Sequence, residues 1–230
     1  MIVMFLNPTP YSGADTSAAR LYASNMILIA FSYIYLQIMY SLFRTHIEKF
    51  VKLTDAEWDL LVPYLEIRKL KKHELFAEQG KVAGELGFVI EGMLRHYYIK
   101  NGEEKTTYFF FENHLVGAYF SCISQKPSLL TIEALSECKV IVFPYKVLKE
   151  LFETSMAWQT FGRLLAEYLA LGLEERMVEL LILSPEERYL ELIQGNKTKI
   201  IERIPQHYIA NYLGLTPVSL SRIRNRMTKK

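Results

Sequence analysis

The sequence predicts an α+β chain: a double-stranded β-helix (jelly-roll) sensor domain, a long dimerisation helix, and a C-terminal winged-helix-like helix-turn-helix domain. Three observations predict it. Short β-branched and aromatic runs separated by glycines fill the stretch from about Ile67 to Phe143. Apolar residues spaced three or four apart follow, up to about Leu183. The tail from Ile209 to Ile223 then carries a helix-turn-helix pattern position by position. The domains expected from this are 1–41 as an N-terminal extension, 42–154 as the β-roll, 155–183 as the dimerisation helix and 184–230 as the DNA-binding domain.

Half of the 230 residues are apolar, enough to bury a sizeable core, and the formal net charge is only +2. That charge is unevenly placed. From Ser184 onward nine Lys or Arg face four Asp or Glu, and from Arg203 onward no acid remains. A local basic tail on a nearly neutral chain is the pattern of a terminal nucleic-acid-binding module. Cys122 and Cys138 lie in apolar surroundings and are expected to be reduced and buried, too few for a disulfide framework.

Within the extension, Leu21 to Phe43 holds no charged residue and is long enough to cross a bilayer. Ser24, Asn25, Ser32, Gln37 and Ser41 interrupt it, and no secretory cleavage site follows. Three readings stay open: a segment foreign to the fold, with a natural start at Met26 or Met39; a membrane anchor; or a helix packed on the domain. With Arg44, Lys49 and Lys52 on its far side, the main body is expected to be cytoplasmic in each.

Thr54 and Glu57 form a capping box for a first short helix. Strands are expected at Glu74 to Phe76, Leu86 to Ile90, Leu94 to Ile99, Thr106 to Phe111, Leu130 to Ala134 and Val140 to Pro144. Asn101-Gly102 is the hairpin turn between the third and fourth, because both residues tolerate positive φ. Helix is expected from Tyr145, broken near Ser155. Its main stripe, Trp158, Phe161, Leu165, Leu169, Leu173, Met177 and Leu180, is joined by a second of Leu164, Tyr168, Leu171, Val178 and Leu181. A helix apolar on two faces needs two partners: its own β-roll and, most economically, the same helix of a second subunit. Phe161, Leu165, Leu169, Leu173, Met177 and Leu180 are therefore the expected dimer interface. Ser184-Pro185-Glu186-Glu187 restarts a helix with cap, proline and capping-box glutamate.

Counting Gln206 as the first position of the motif, Ile209 is the buried fourth and Ala210 the small fifth. Gly214 is the ninth, where the turn needs positive φ, and Leu215, Leu220 and Ile223 are the apolar tenth, fifteenth and eighteenth. Thr216 caps the second helix and Pro217 opens it. Helical spacing puts Leu220, Ile223 and Met227 on one face and Val218, Ser221, Arg222 and Asn225 on the other. Those four are the expected base readers: Arg222 for guanine, Ser221 or Asn225 for a base edge, Val218 for a thymine methyl. Thr216, Ser219, Arg226 and Lys229 flank them and suit phosphates.

The chain here resembles the cyclic-AMP receptor protein and fumarate-nitrate regulator (Crp/Fnr) superfamily. The resemblance rests on Glu78-Gln79-Gly80, the run Gly87 to Arg95, Gly117, Ser184 to Tyr189 and the C-terminal motif. It implies a homodimer on a pseudo-palindromic promoter that contacts RNA polymerase. Cyclic-nucleotide-binding members carry a glutamate after the glycine matched by Gly117, for the ribose, and an arginine before the alanine matched by Ala134, for the phosphate. Ala118 and the run Pro127 to Leu130 stand there instead, so cyclic AMP is not expected as effector. The N-terminal cysteines of an oxygen-sensing cluster are also missing. His96 and His114 are expected at strand surfaces rather than as haem ligands, and no cofactor is predicted. The aromatic group Tyr97, Tyr98, Tyr108 to Phe111, Tyr119 and Phe120 is either core or the wall of an apolar pocket. The expected effector positions are Tyr108, Phe110, Gly117, Tyr119 and Leu130. A metal enzyme on a jelly roll is disfavoured, because His46, His73, His96, His114 and His207 are scattered singly. No catalytic residue or metal ligand is expected. The competing readings are a DNA-binding regulator and a membrane-tethered sensor using residues 21–43.

Overall fold

A computed structural model describes residues 16–195 and 197–227, and the chain divides into a unit up to Ser41 and a second from Leu42 onward. The first unit consists of most of helix α1 (Thr16–Ile47), which is long and apolar enough over Ser24–Ile47 to cross a membrane. Of its large apolar side chains from Met26 to Ile38, all but Leu36 are exposed.

In the second unit, the end of α1 is anchored by Phe43, which stacks on Phe88 and Phe143 and meets Trp58 edge-on. Helix α2 (Asp55–Asp59) starts at Thr54 with the expected capping box. Two antiparallel four-stranded sheets follow. One orders β1 (Glu66–Leu70), β8 (Cys138–Pro144), β3 (Glu85–Glu91) and β6 (Leu115–Val116); the other orders β2 (Leu75–Ala77), β7 (Thr131–Ala134), β4 (Leu94–Lys100) and β5 (Glu103–Phe110). Between them lies a core built on Val89, Leu94, Ile132 and Val140. The β4–β5 hairpin turns at Asn101 (φ 54°) and Gly102 (φ 79°), with Lys100 opposite Glu103.

The six expected strands are present. Two further strands are not foreseen by the pattern: β1, a charged segment whose Arg68 pairs with Glu85 at 2.7 Å, and the two-residue β6. Tyr119 and Phe120 open a short helix, α3 (Tyr119–Ser124). The expectation of surface histidines is corrected. His96, beside a register shift in β4, is half-buried against Phe110 and bonds Thr107, and burial pushes its pKa down to about 4. His114 is likewise half-buried, against Phe111 and Tyr108, and burial lowers it. Cys122 and Cys138 are free and buried.

Helix α4 (Tyr145–Thr154) ends at Ser155, which caps α5 (Met156–Ile182) by accepting the Trp158 N–H and donates to the Glu57 carboxylate at 3.0 Å. Trp158 Nε1–H donates to the Glu57 carbonyl at 3.0 Å, so the start of α5 is bolted to α2. The expected dimer stripe is therefore divided. Phe161 (2% exposed) and Leu165 (4%) are already covered by their own chain and cannot face a partner. Leu169 is half-buried, and the exposed part comprises Leu173 (73%), Met177 (54%) and Leu180 (45%), beside Tyr168, Leu171, Val178 and Leu181. The sequence periodicity runs through both halves because each is apolar, but only the second is unpartnered.

The chain ends in α6 (Pro185–Gln194), α7 (Thr198–Arg203), α8 (Gln206–Leu213) and α9 (Pro217–Met227); among the described residues this region has no strand that would form a wing. A second core joins these helices to the outer face of the roll: Phe109, Phe111 and Leu135 sit in one cluster with Tyr189, Leu192, Ile209, Leu213, Leu220 and Ile223. Strand alternation explains the split, since Phe110 points into the roll while its neighbours point out.

Candidate nucleic-acid interface

The turn between α8 and α9 forms for local reasons. Gly214 takes φ 73°, the left-handed region that favours glycine, and its N–H bonds the Asn211 carbonyl at 3.0 Å while the Leu215 N–H returns to Ala210 at 2.8 Å. This is a Schellman arrangement, which satisfies the last carbonyls of α8 and releases the chain. Thr216 Oγ1 then accepts the Ser219 N–H at 3.2 Å and meets its hydroxyl at 3.0 Å, and Pro217 begins α9.

Burial sorts the residues of α9 into two faces. Leu220 and Ile223 are buried with Ile209, Ala210 and Leu213 of α8, and Ala210 is small where the helices cross. Val218 (61% exposed), Ser221, Arg222 and Asn225 form the opposite, exposed ridge. Thr216 is exposed and Ser219 partly so; Arg226 is exposed and pairs with Glu186 on α6. Lys229 lies outside the described residues. An open cleft of about 790 Å³ separates the start of α6 from α9, bounded by Ser184 and Glu186 on one side and Ser219, Arg222, Asn225 and Arg226 on the other.

Other cations of the tail hold the module in place. Arg188 donates from one guanidinium nitrogen to the Leu183 carbonyl at 3.1 Å and from the other to Leu213 at 3.1 Å, closing the C-terminal ends of α5 and α8 together. Arg176 donates to the Tyr212 carbonyl at 2.5 Å and lies 3.8 Å from that ring's centroid. Lys197 pairs with Glu179, and Arg203 makes a bidentate pair with Glu112 at 2.6 and 2.8 Å. Sequence reasoning did not find these contacts. The one available signal is the i, i+3, i+4 spacing of Tyr208, Asn211 and Tyr212 on α8; nothing in the sequence pairs Arg203 with a carboxylate 91 positions away.

In the roll, Phe110 and Leu130 lie in one core cluster with Val116 and Ala118. Tyr108 packs on Phe110, with centroids 5.0 Å apart, and Tyr119 packs on Tyr145 at 5.9 Å. Gly117 sits where a Cβ would come within 2.5 Å of Leu86 Cδ2, so close packing explains that glycine. Arg95, the buried cation of the second sheet, is already held by Glu104 at 2.7 Å and Glu133 at 2.8 Å. Among the described residues no three His, Cys, Asp or Glu side chains converge as a metal site would need.

Comparison with known proteins bears on the same regions. The cyclic nucleotide-binding domain family matches residues 67–155. The fumarate and nitrate reduction regulatory protein of Vibrio cholerae is 29% identical over 191 residues, covering 77% of this chain and 75% of that protein. Among solved structures, FixK2 from Bradyrhizobium japonicum superposes with a TM-score of 0.60 at 18% identity, covering 72% of this chain and 85% of its own. A transcriptional regulator of the Crp/Fnr family from Eubacterium rectale gives 0.58 at 22% identity, covering 76% and 84%. The two structures support the fold, and the Vibrio protein extends the similarity beyond the length of the domain match.

Proposed function

We propose that this chain is a transcriptional regulator of the Crp/Fnr type, acting in the cytoplasm as a homodimer on a pseudo-palindromic double-stranded DNA site, each subunit laying α9 in a major groove; the cyclic nucleotide-binding domain match over residues 67–155 and the 29% identity to the Vibrio cholerae regulator support it. One observation carries this reading: Val218, Ser221, Arg222 and Asn225 form an exposed ridge backed by the buried Leu220 and Ile223. Arg222 offers a bidentate pair to guanine, Ser221 and Asn225 a hydrogen bond to a base edge, and Val218 an apolar contact to thymine. Thr216, Ser219, Arg226 and Lys229 contact phosphates. Arg226 exchanges Glu186 for a phosphate on binding, at small cost because the pair is exposed.

The dimer forms along Leu173, Met177 and Leu180, with Leu169 at its edge, since these continue the α5 stripe beyond the part covered by its own chain. RNA polymerase is the further partner that the family suggests. Cyclic AMP is not the effector. Buried Ala118 and Leu130 supply neither a ribose acceptor nor a phosphate cation, and Arg95 is committed to two glutamates. Tyr108, Phe110, Gly117, Tyr119 and Leu130 suit an apolar effector.

Selection of bound fragments from random DNA tests the reading. The expected outcome is two inverted half-sites about one helical turn apart. Arg222→Ala is expected to cost roughly 1–3 kcal/mol and remove the guanine preference. An unchanged guanine preference would refute the assignment of the ridge.

A second reading is favoured by α1, whose large apolar side chains from Met26 to Ile38 are exposed except for Leu36: the same regulator tethered to a membrane. Fractionation of cells expressing the natural transcript separates the two, with the chain in the soluble fraction under the first.

A further inference from the structure

Helix α8, the first of the helix-turn-helix pair, is fastened to the β-roll by an exposed strand edge. Strand β5 is the last of its sheet, so its outer backbone groups have no strand partner. Asn211 supplies one. Its Oδ1 accepts the Thr106 N–H at 2.6 Å and its Nδ2 donates to the Glu104 carbonyl at 2.8 Å, so a side-chain amide stands in for a neighbouring strand residue. One turn earlier on the same face of α8, the Tyr208 ring centroid lies 4.2 Å from the Arg95 guanidinium. The Tyr97 centroid is 3.9 Å from that guanidinium, and Glu104 and Glu133 hold it in plane. Tyr212 completes the face against Phe109, with centroids 5.6 Å apart.

These contacts fix an angle as well as an energy. Helix α8 is joined to α9 through the tight turn at Gly214, and the two share a core, so whatever orients α8 orients the reading ridge. A dimer reads two half-sites at once only if both ridges meet successive major grooves in phase, and each added base pair turns the second half-site by about 34°. A reader with stiff arms therefore accepts one spacing, and a reader with loosened arms accepts several.

We propose that Tyr208 and Asn211 are positioning residues that set the spacing between half-sites while leaving the sequence of each half-site to α9. The inference rests on the two-half-site reading above.

The test uses the full chain and a series of duplexes carrying the selected half-site twice, with the natural spacer and with one or two base pairs added or removed, beside a duplex with a single half-site. For the wild type, a one-base-pair change is expected to weaken binding about tenfold; for Tyr208→Ala/Asn211→Ala the penalty should fall to about threefold, with single-half-site affinity within about twofold. Tyr208→Phe, which keeps the ring over Arg95, should retain the wild-type profile. Asn211→Ser, which leaves the aromatic contacts in place, is measured alongside, and far-UV circular dichroism and thermal melting report folding. Should the double variant not fold, Asn211→Ser decides the matter, with a partial relaxation of spacing as the expected result. A wild-type spacing penalty in folded Asn211→Ser and double variants overturns the proposal. A general loss of affinity that is equal at every spacing overturns it too, since that is what a merely structural role produces. If the wild type itself selects no paired half-sites, the functional reading fails instead.

Discussion

Replacing Glu112 by glutamine removes one charged clasp between the roll and the DNA-binding module, and the structure sets both its size and its pH range. Glu112 accepts two hydrogen bonds from Arg203, at 2.6 and 2.8 Å, and one from the Gly92 N–H at 3.2 Å. The Arg203 hydrogen bonds are the largest cause of its lowered pKa; partial burial opposes them, and the carboxyl falls from 4.5 to about 2. Taken at face value, that displacement corresponds to roughly 3 kcal/mol. The side chains are 27% and 34% exposed, so solvent screening brings the usable contribution to about 1 kcal/mol, toward the upper end for an accessible pair because the geometry is bidentate. A carboxylate with a depressed folded-state pKa stabilises the fold above its unfolded value, and the contribution is lost as pH falls through the folded value. Glu112→Gln should therefore be less stable than wild type by about 1 kcal/mol at pH 7 and equal to it near pH 2. Urea unfolding of both proteins at a series of pH values measures the difference. A gap that persists undiminished at pH 2, or no gap at pH 7, refutes the reasoning.

Two further outcomes follow from the exposed ridge and the divided helix. Replacing the thymine opposite Val218 with deoxyuridine deletes one methyl group, which should weaken wild-type binding about three- to fourfold and leave Val218→Ala unaffected; equal losses in both proteins, read by fluorescence anisotropy, would remove Val218 from the reading face. On α5, if the proposed dimer forms there, Leu173→Glu and Met177→Glu should convert it to a folded monomer in analytical ultracentrifugation, and a dimer unchanged in both variants would refute that interface. Phe161→Ala should instead keep the dimer and cost about 3–5 kcal/mol of stability, because that ring is already buried in its own chain.

Much of this architecture was legible because it is local. The capping boxes at Thr54 with Glu57 and at Ser184 with Glu187, the Asn101-Gly102 turn and the sequence Gly214-Leu215-Thr216-Pro217 each specify a conformation through a few neighbouring atoms, and each forms as its residues dictate. What escaped the pattern depends on partners distant in sequence. Strand β1 reads as a charged linker until Arg68 is seen beside Glu85 and its backbone beside β8. The α5 stripe is continuous in hydropathy, yet Trp158 is drawn under α2 by the Glu57 carbonyl whereas Leu173 is left open; periodicity identifies an apolar face and not its neighbour. His96 and His114 are polar letters in a strand pattern, and only the fold shows aromatic rings closing over them.

The basic tail illustrates the same distinction in charge. Nine Lys or Arg from Ser184 onward mark the tail as the proposed polyanion-binding region, but a count of cations does not say which would meet a duplex. Arg188 spends its guanidinium on helix-terminal carbonyls, Lys197 on Glu179 and Arg203 on Glu112. These three are engaged within the chain, and under the proposed function Arg222 on the exposed face of α9 is the cation that would meet a duplex. Counterion release scales with phosphates neutralised, so on that reading affinity would draw on cations at α9 rather than on these three. The three act through geometry: Arg188 ties the end of α8 to the end of α5, Lys197 joins Glu179 of α5 and Arg203 joins Glu112 of the roll, and the proposed reading of half-site spacing would depend on α8 being held in this way.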